Sequence, residues 1–127
     1  MTYTVLIVDD SKLARMSVAK VLGTLHPDWK RVEAANATEA LDQTRKVRPE
    51  VVLVDFNMPG TDGVTLVAEL RALDPKISVA VVSANRQVEV IKRTEAAGAT
   101  FLPKPVTESA LADFLASVQG ERKAGPR

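Results

Sequence analysis

The chain has no cysteine and a single histidine, His26, among 127 residues. The first absence excludes disulfides and thiolate metal sites, and one imidazole cannot build the ligand cluster of a zinc enzyme. There is no excess charge of either sign. With 17 basic and 16 acidic residues the formal charge is +1, so no global field recruits nucleic acid and none is expected as a direct partner. Long apolar runs are also missing, as none approaches the roughly eighteen residues of a membrane span. The start, Met1-Thr-Tyr-Thr4, lacks the basic region of a secretory signal. No membrane association is expected, and the cytoplasm is the expected compartment. Glycine is absent from Asp9-Asp10-Ser11-Lys12, which speaks against a nucleotide or flavin module with a glycine-rich phosphate turn.

What remains is the composition of a soluble globular domain, 46% hydrophobic and 26% charged. A chain of this length buries roughly two-thirds of the surface it exposes unfolded, and residues 1–119 read as one domain. Residues 120–127, Gly-Glu-Arg-Lys-Ala-Gly-Pro-Arg, read as a solvated polar tail with no output domain. Three apolar runs rich in β-branched residues, Val5–Val8, Val51–Val54 and Val79–Val82, suit strands buried on both faces of a parallel sheet. Weaker runs at Arg31–Ala34 and Thr100–Leu102 suit its edges.

Helical periods fill the intervals. Ala14, Val18, Val21, Leu22 and Leu25 share one helix face, as do Ala37, Ala40, Leu41 and Thr44, with Asn36 and Glu39 spaced as a capping pair. Leu66, Leu70 and Leu73 mark a third helix, which Asp62 caps, and Leu111, Phe114, Leu115 and Val118 mark the last. Between Asn85 and Ala97 the stripe is poor: Val88 and Ile91 are offered to the core and Val90 is left off that face. Five strands alternating with five helices predict an α/β domain with helices on both faces of a parallel sheet.

Right-handed crossovers put the carboxyl end of every strand on one rim, where ligands of such sheets bind. The first strand ends in Asp9-Asp10, the third in Asp55 and the fourth in Ser83, and the fifth runs through Pro103 into Lys104-Pro105. Carboxylates brought together in a partly buried site demand a counter-charge. Oxygen ligands without His or Cys suit Mg²⁺, and Lys104 supplies a second, mobile positive charge. Such a site suits phosphoryl transfer onto a carboxylate. Asp55 is the candidate acceptor, Asp9 and Asp10 the metal-holding pair, and Ser83 a hydrogen-bond donor that senses the added group.

These residues lie in four blocks: Val8-Asp9-Asp10-Ser11, Val54-Asp55-Phe-Asn-Met-Pro-Gly60-Thr-Asp-Gly63, Val82-Ser83-Ala84 and Phe101-Leu-Pro-Lys104-Pro105. In this order and at these separations they resemble the receiver domain of two-component response regulators, over nearly the whole chain. The resemblance implies a flavodoxin-like, doubly wound five-stranded sheet of order 2-1-3-4-5. It implies a stand-alone receiver phosphorylated on Asp55 by a sensor histidine kinase or phosphotransfer protein. It also implies Mg²⁺ held by Asp10, Asp55 and the backbone carbonyl of Asn57, with Asp9 acting through water. Phe101 is implied as a switch residue moving with Ser83, and the Lys104–Pro105 bond as cis. The downstream partner is expected on the fourth helix, last strand and last helix, with Val90 as a contact. The interval from Gly98 to Lys104 is one residue shorter than is usual in that family, so the loop before the last strand is expected to be trimmed.

The rivals fit less well. A haloacid-dehalogenase-like phosphatase needs a second Asp where Asn57 stands, and a calcium loop starting at Asp55 meets Pro59 and Leu66 at ligand positions. A non-phosphorylated interaction domain of the same fold is the remaining alternative. His26 and Trp29, in a loop containing Pro27, are assigned to packing or solvent contact, and Arg122, Lys123 and Arg127 to the solvated tail.

Overall fold

The computed structural model describes residues 2–124, with side-chain surroundings through Glu121. Strands and helices alternate along the chain: β1 (Thr4–Val8), α1 (Lys12–Leu25), β2 (Lys30–Ala34), α2 (Ala37–Val47), β3 (Val51–Asp55), α3 (Gly63–Leu73), β4 (Ser78–Ser83), α4 (Val88–Ala96), β5 (Thr100–Pro103) and α5 (Glu108–Ala124). The strands pair in parallel, in the order β2-β1-β3-β4-β5. This is the flavodoxin-like, doubly wound arrangement, and it sets β3 at the centre of the sheet.

Successive side chains of a strand point to opposite faces. Ile7, Leu53 and Val82 therefore meet Leu22 of α1 and Leu111 and Leu115 of α5. Leu6, Val8, Val52, Val54 and Val81 meet Ala40 of α2 and Leu66, Val67 and Leu70 of α3 on the other face. Each fully buried leucine contributes about 2 kcal/mol of hydrophobic stabilisation, so the two layers clamp the strand ends rigidly. The starts of α1, α2 and α3 are capped by Ser11, Asn36 and Asp62. Asn36 accepts the Glu39 N–H at 2.8 Å, and Glu39 reaches back to the Ala35 N–H at 2.9 Å. His26 stacks on the buried Trp29 at 3.7 Å, so packing is the one of the two expected roles that this pair takes.

Three expectations are corrected. Val90 is buried at 6% exposure, whereas Val88 is 64% exposed. Helix α4 presents Val90 and Thr94 to the core, and Thr94 is fully buried because its hydroxyl donates to the Val90 carbonyl at 2.8 Å. A stripe sought among apolar residues alone misses a buried threonine satisfied inside its own helix. Leu73, in the last turn of α3, is 42% exposed, since the buried row is Leu66, Val67 and Leu70. Helix α5 continues to Ala124, so residues 120–124 are helix where a tail was expected. The side chains of Arg122, Lys123 and Arg127 lie outside the described residues. The connection from α4 to β5 is short, Gly98 turning it in the left-handed region with φ +82°. Among the described residues no helix is long and apolar enough to cross a membrane.

Candidate functional site

The topology delivers Asp9, Asp55, Ser83 and Lys104 to one rim. Asp55 is the last residue of β3 and only 7% exposed. Asp9 follows β1 at 6% exposure, while Asp10 faces solvent. Carboxylate oxygens of Asp9, Asp10 and Asp55 all lie within 4.8 Å of one another. Lys104, after β5, places its ammonium 3.1 Å from Asp9 Oδ2 and 3.0 Å from Asp55 Oδ1. Its own N–H donates to the Ser83 carbonyl at 3.0 Å, and the Lys104–Pro105 peptide is cis. Residues as far as 95 positions apart thus meet around one ammonium group.

Asp9 is held at every polar atom. Its N–H donates to the Ala34 carbonyl at 3.1 Å, Oδ1 accepts the Ser11 N–H at 2.9 Å, and Oδ2 accepts from Lys104. Ser11 in turn caps α1, accepting the Ala14 N–H at 3.2 Å. Asp10, by contrast, makes no hydrogen bond or ion pair among the described residues, so its carboxylate is available to a cation. Asn57 is exposed on the loop after β3, near enough for its backbone N–H to favour the charged form of Asp55.

Burial drives the Asp55 carboxyl above the usual carboxylate range, and repulsion from Asp9 adds to it; the hydrogen bonds from Lys104 and the Asn57 N–H offset only part. For Lys104, burial alone would lower its pKa. Hydrogen bonds to Asp55 and Asp9, with their charges, outweigh burial and hold the ammonium above its ordinary value. One ammonium therefore offsets a cluster of three carboxylates incompletely, and hard oxygen donors with residual negative charge are the donor set Mg²⁺ prefers.

Ser83 is buried at the end of β4, where its Oγ accepts the Asn85 N–H at 3.0 Å. Phe101 is half-buried on the edge strand β5, opposite Val81. A groove of about 390 Å³ opens beneath the carboxylates between α1 and Pro105-Val106, walled by Ala14, Ser17 and Val18. A larger one, about 530 Å³, lies near Ile77, Gly98 and Phe114 and contains none of these residues.

Three participants escape the sequence reading. Gly63 begins α3 where a Cβ would stand 2.7 Å from the Asp55 carbonyl oxygen. Arg93 of α4 reaches Asp62 Oδ2 at 3.1 Å and lies over the Phe56 ring at 5.9 Å. Asp62 also caps α3 through the Thr65 N–H at 2.8 Å; burial pushes its carboxyl up, but the Thr65 and Arg93 bonds outweigh this and hold it low. Arg15 donates to the Asp9 carbonyl at 2.7 Å and to Glu33 at 2.8 Å.

Residues 5–116 match the family model of the response regulator receiver domain. The chain belongs to that family. This receiver is 32% identical over 106 residues to sporulation initiation phosphotransferase F of Bacillus subtilis, covering 83% of this chain and 84% of that one. It is 30% identical over 115 residues to chemotaxis protein CheY of Thermotoga maritima, covering 90% and 95% respectively. Among solved structures, chemotaxis protein CheY4 of Vibrio cholerae superposes with a TM-score of 0.83 at 29% identity, over 93% of the receiver and 99% of that chain. The receiver is thus a module of two-component signal transduction.

Proposed function

We propose that this receiver accepts a phosphoryl group on Asp55 from the phosphohistidine of a sensor histidine kinase or phosphotransfer protein, and that the modification switches its binding to a downstream protein. The observation that carries this reading is the single ammonium of Lys104 shared between Asp9 and Asp55. An Asp55 carboxylate oxygen attacks phosphorus. An O–P bond forms, the P–N bond of the phosphohistidine breaks, and its electron pair returns to the imidazole, which takes up a proton. Lys104 stands where negative charge gathers on the phosphoryl oxygens, within reach because it already contacts Asp55. The donor protein approaches over α1, where Leu13 and Met16 are 74% and 53% exposed.

Asp10, Asp55 and the backbone carbonyl of Asn57 would hold Mg²⁺, with Asp9 acting through water because both its carboxylate oxygens are engaged. When bound, the ion supplies the remaining positive charge that phosphoryl transfer between anions needs. Ser83 Oγ accepts from Asn85 and keeps its own proton to donate to a phosphoryl oxygen. Its movement would pull on the loop leading to α4, and Phe101, half-buried beside β4, would turn inward. The readout surface is then α4, β5 and α5. Val88 is exposed there, whereas the buried Val90 is not a contact. On this reading the protein turns over no external substrate; it catalyses its own phosphorylation and dephosphorylation, in the cytoplasm.

The test is incubation with acetyl phosphate and Mg²⁺ followed by intact mass. The native chain gains one phosphoryl group and Asp55→Asn gains none. Equal masses before and after, in the native chain, would instead favour a non-phosphorylated interaction domain.

A further inference from the structure

We infer that Arg15 is a positioning residue for the acidic centre, clamping the Asp9–Asp10 peptide so that Asp10 is presented to the metal. The inference rests on the magnesium reading above. Asp10 has no side-chain partner among the described residues, so its carboxylate is placed only by its backbone. That backbone hangs on the Asp9 carbonyl, and the Asp9 carbonyl accepts from Arg15 Nη1 at 2.7 Å. Arg15 is itself fixed. Its Nε donates to Glu33 Oε1 at 2.8 Å, and its side chain is only 14% exposed.

Glu33 sits on β2, in register with Ile7 of β1. The next β2 residue, Ala34, accepts the Asp9 N–H at 3.1 Å. Both sides of the Asp9 backbone are thus tied to β2, one directly and one through Arg15. A guanidinium presents its donors to two acceptors in a rigid planar fork, whereas a lysine's rotatable donors sit on a flexible stem and fix no such geometry. Its charge is unhelpful here on two counts: it lies in the first turn of α1, against the helix dipole, and it would repel a metal cation. Glu33 offsets that charge. What the pair adds to the site is geometry, in the way that outer partners orient metal ligands elsewhere.

Charge and geometry make opposite predictions, which makes the inference testable. Arg15→Ala removes a positive charge and Glu33→Ala removes a negative one. Through-space electrostatics alone would tighten Mg²⁺ binding in the first and weaken it in the second; loss of the clamp weakens it in both. Calorimetric titration of the full chain with Mg²⁺ should show affinity falling about 10-fold or more for Arg15→Ala, a smaller fall for Glu33→Ala, and partial recovery in Arg15→Lys. With acetyl phosphate, the half-saturating Mg²⁺ concentration should rise in Arg15→Ala by more than the maximal rate falls. Native-like or tighter Mg²⁺ binding by Arg15→Ala would overturn the inference. Should that variant fail to fold, full native affinity in Glu33→Ala and Arg15→Lys would overturn it equally. A native chain that binds no Mg²⁺ would instead sink the metal reading beneath it, and the inference with it.

Discussion

Replacing Gly63 by alanine tests how tightly the phosphoacceptor strand is built into the fold. Gly63 opens α3, and its N–H donates to the Phe56 carbonyl at 2.9 Å. A Cβ there would stand 2.7 Å from the Asp55 carbonyl oxygen and 2.9 Å from the Phe56 Cα, both backbone atoms. Relaxed carbon–oxygen contacts begin near 3.3 Å, so relief requires about 0.6 Å of movement. Two routes exist. Helix α3 can back away, straining the packing of Leu66 and Leu70, which are fully buried. Alternatively the Asp55–Phe56 peptide can tilt, and the same peptide carries the Phe56 N–H that donates to the Val82 carbonyl at 2.9 Å.

Overpacking of this kind costs about 1–3 kcal/mol, against which alanine recovers up to about 1 kcal/mol of helix propensity. The expected net loss is about 1–2 kcal/mol by urea denaturation followed through Trp29, the only tryptophan. Because a displaced Asp55 moves relative to Lys104, the rate of phosphorylation by acetyl phosphate should fall about 10-fold, within the up to 100-fold that a 1 Å misplacement costs. Stability within about 0.5 kcal/mol of native, together with an unchanged rate, would refute the reasoning.

Lys104→Met should cut the acetyl phosphate reaction about 100-fold or more and move its acid limb to higher pH, since Asp55, already held high by burial, loses a partner that lowers it; an unmoved rate and limb would count against charge neutralisation by Lys104. Val90→Asp should cost about 3 kcal/mol or more by placing a charge in the core, while Val88→Asp should stay within about 0.5 kcal/mol, and paired urea melts distinguish them. Asp62 sits below the ordinary carboxylate range in the folded chain, so its charge contributes stability above that range and the contribution is lost as pH falls through the lowered value. Asp62→Asn keeps a capping side chain but not the charge; its deficit of about 0.5 kcal/mol at pH 7 should vanish in acid, and a deficit independent of pH would contradict the sign.

The parallel sheet was legible because Val5–Val8, Val51–Val54 and Val79–Val82 are buried on both faces and carry no polar residue to confuse the period. From parallel strands the gathering of Asp9, Asp55, Ser83 and Lys104 follows by topology alone, since each ends or follows a strand at the same rim. The phase of α4 was not legible, because Thr94 satisfies its hydroxyl within the helix and then behaves as a core residue. Arg15, Gly63 and Arg93 were not legible for another reason. Arg15 is defined by a backbone carbonyl it meets and Gly63 by backbone atoms it leaves room for, while Arg93 meets a carboxylate thirty-one residues away. None of these targets leaves a pattern in the letters.

The most direct measurement is chemical localisation of the phosphoryl group. After reaction with acetyl phosphate and Mg²⁺, an aspartyl phosphate is reduced by borohydride to homoserine, which peptide mass mapping locates. Conversion is predicted at Asp55 and nowhere else; conversion at Asp9 or Asp10, or at no residue, would contradict the account.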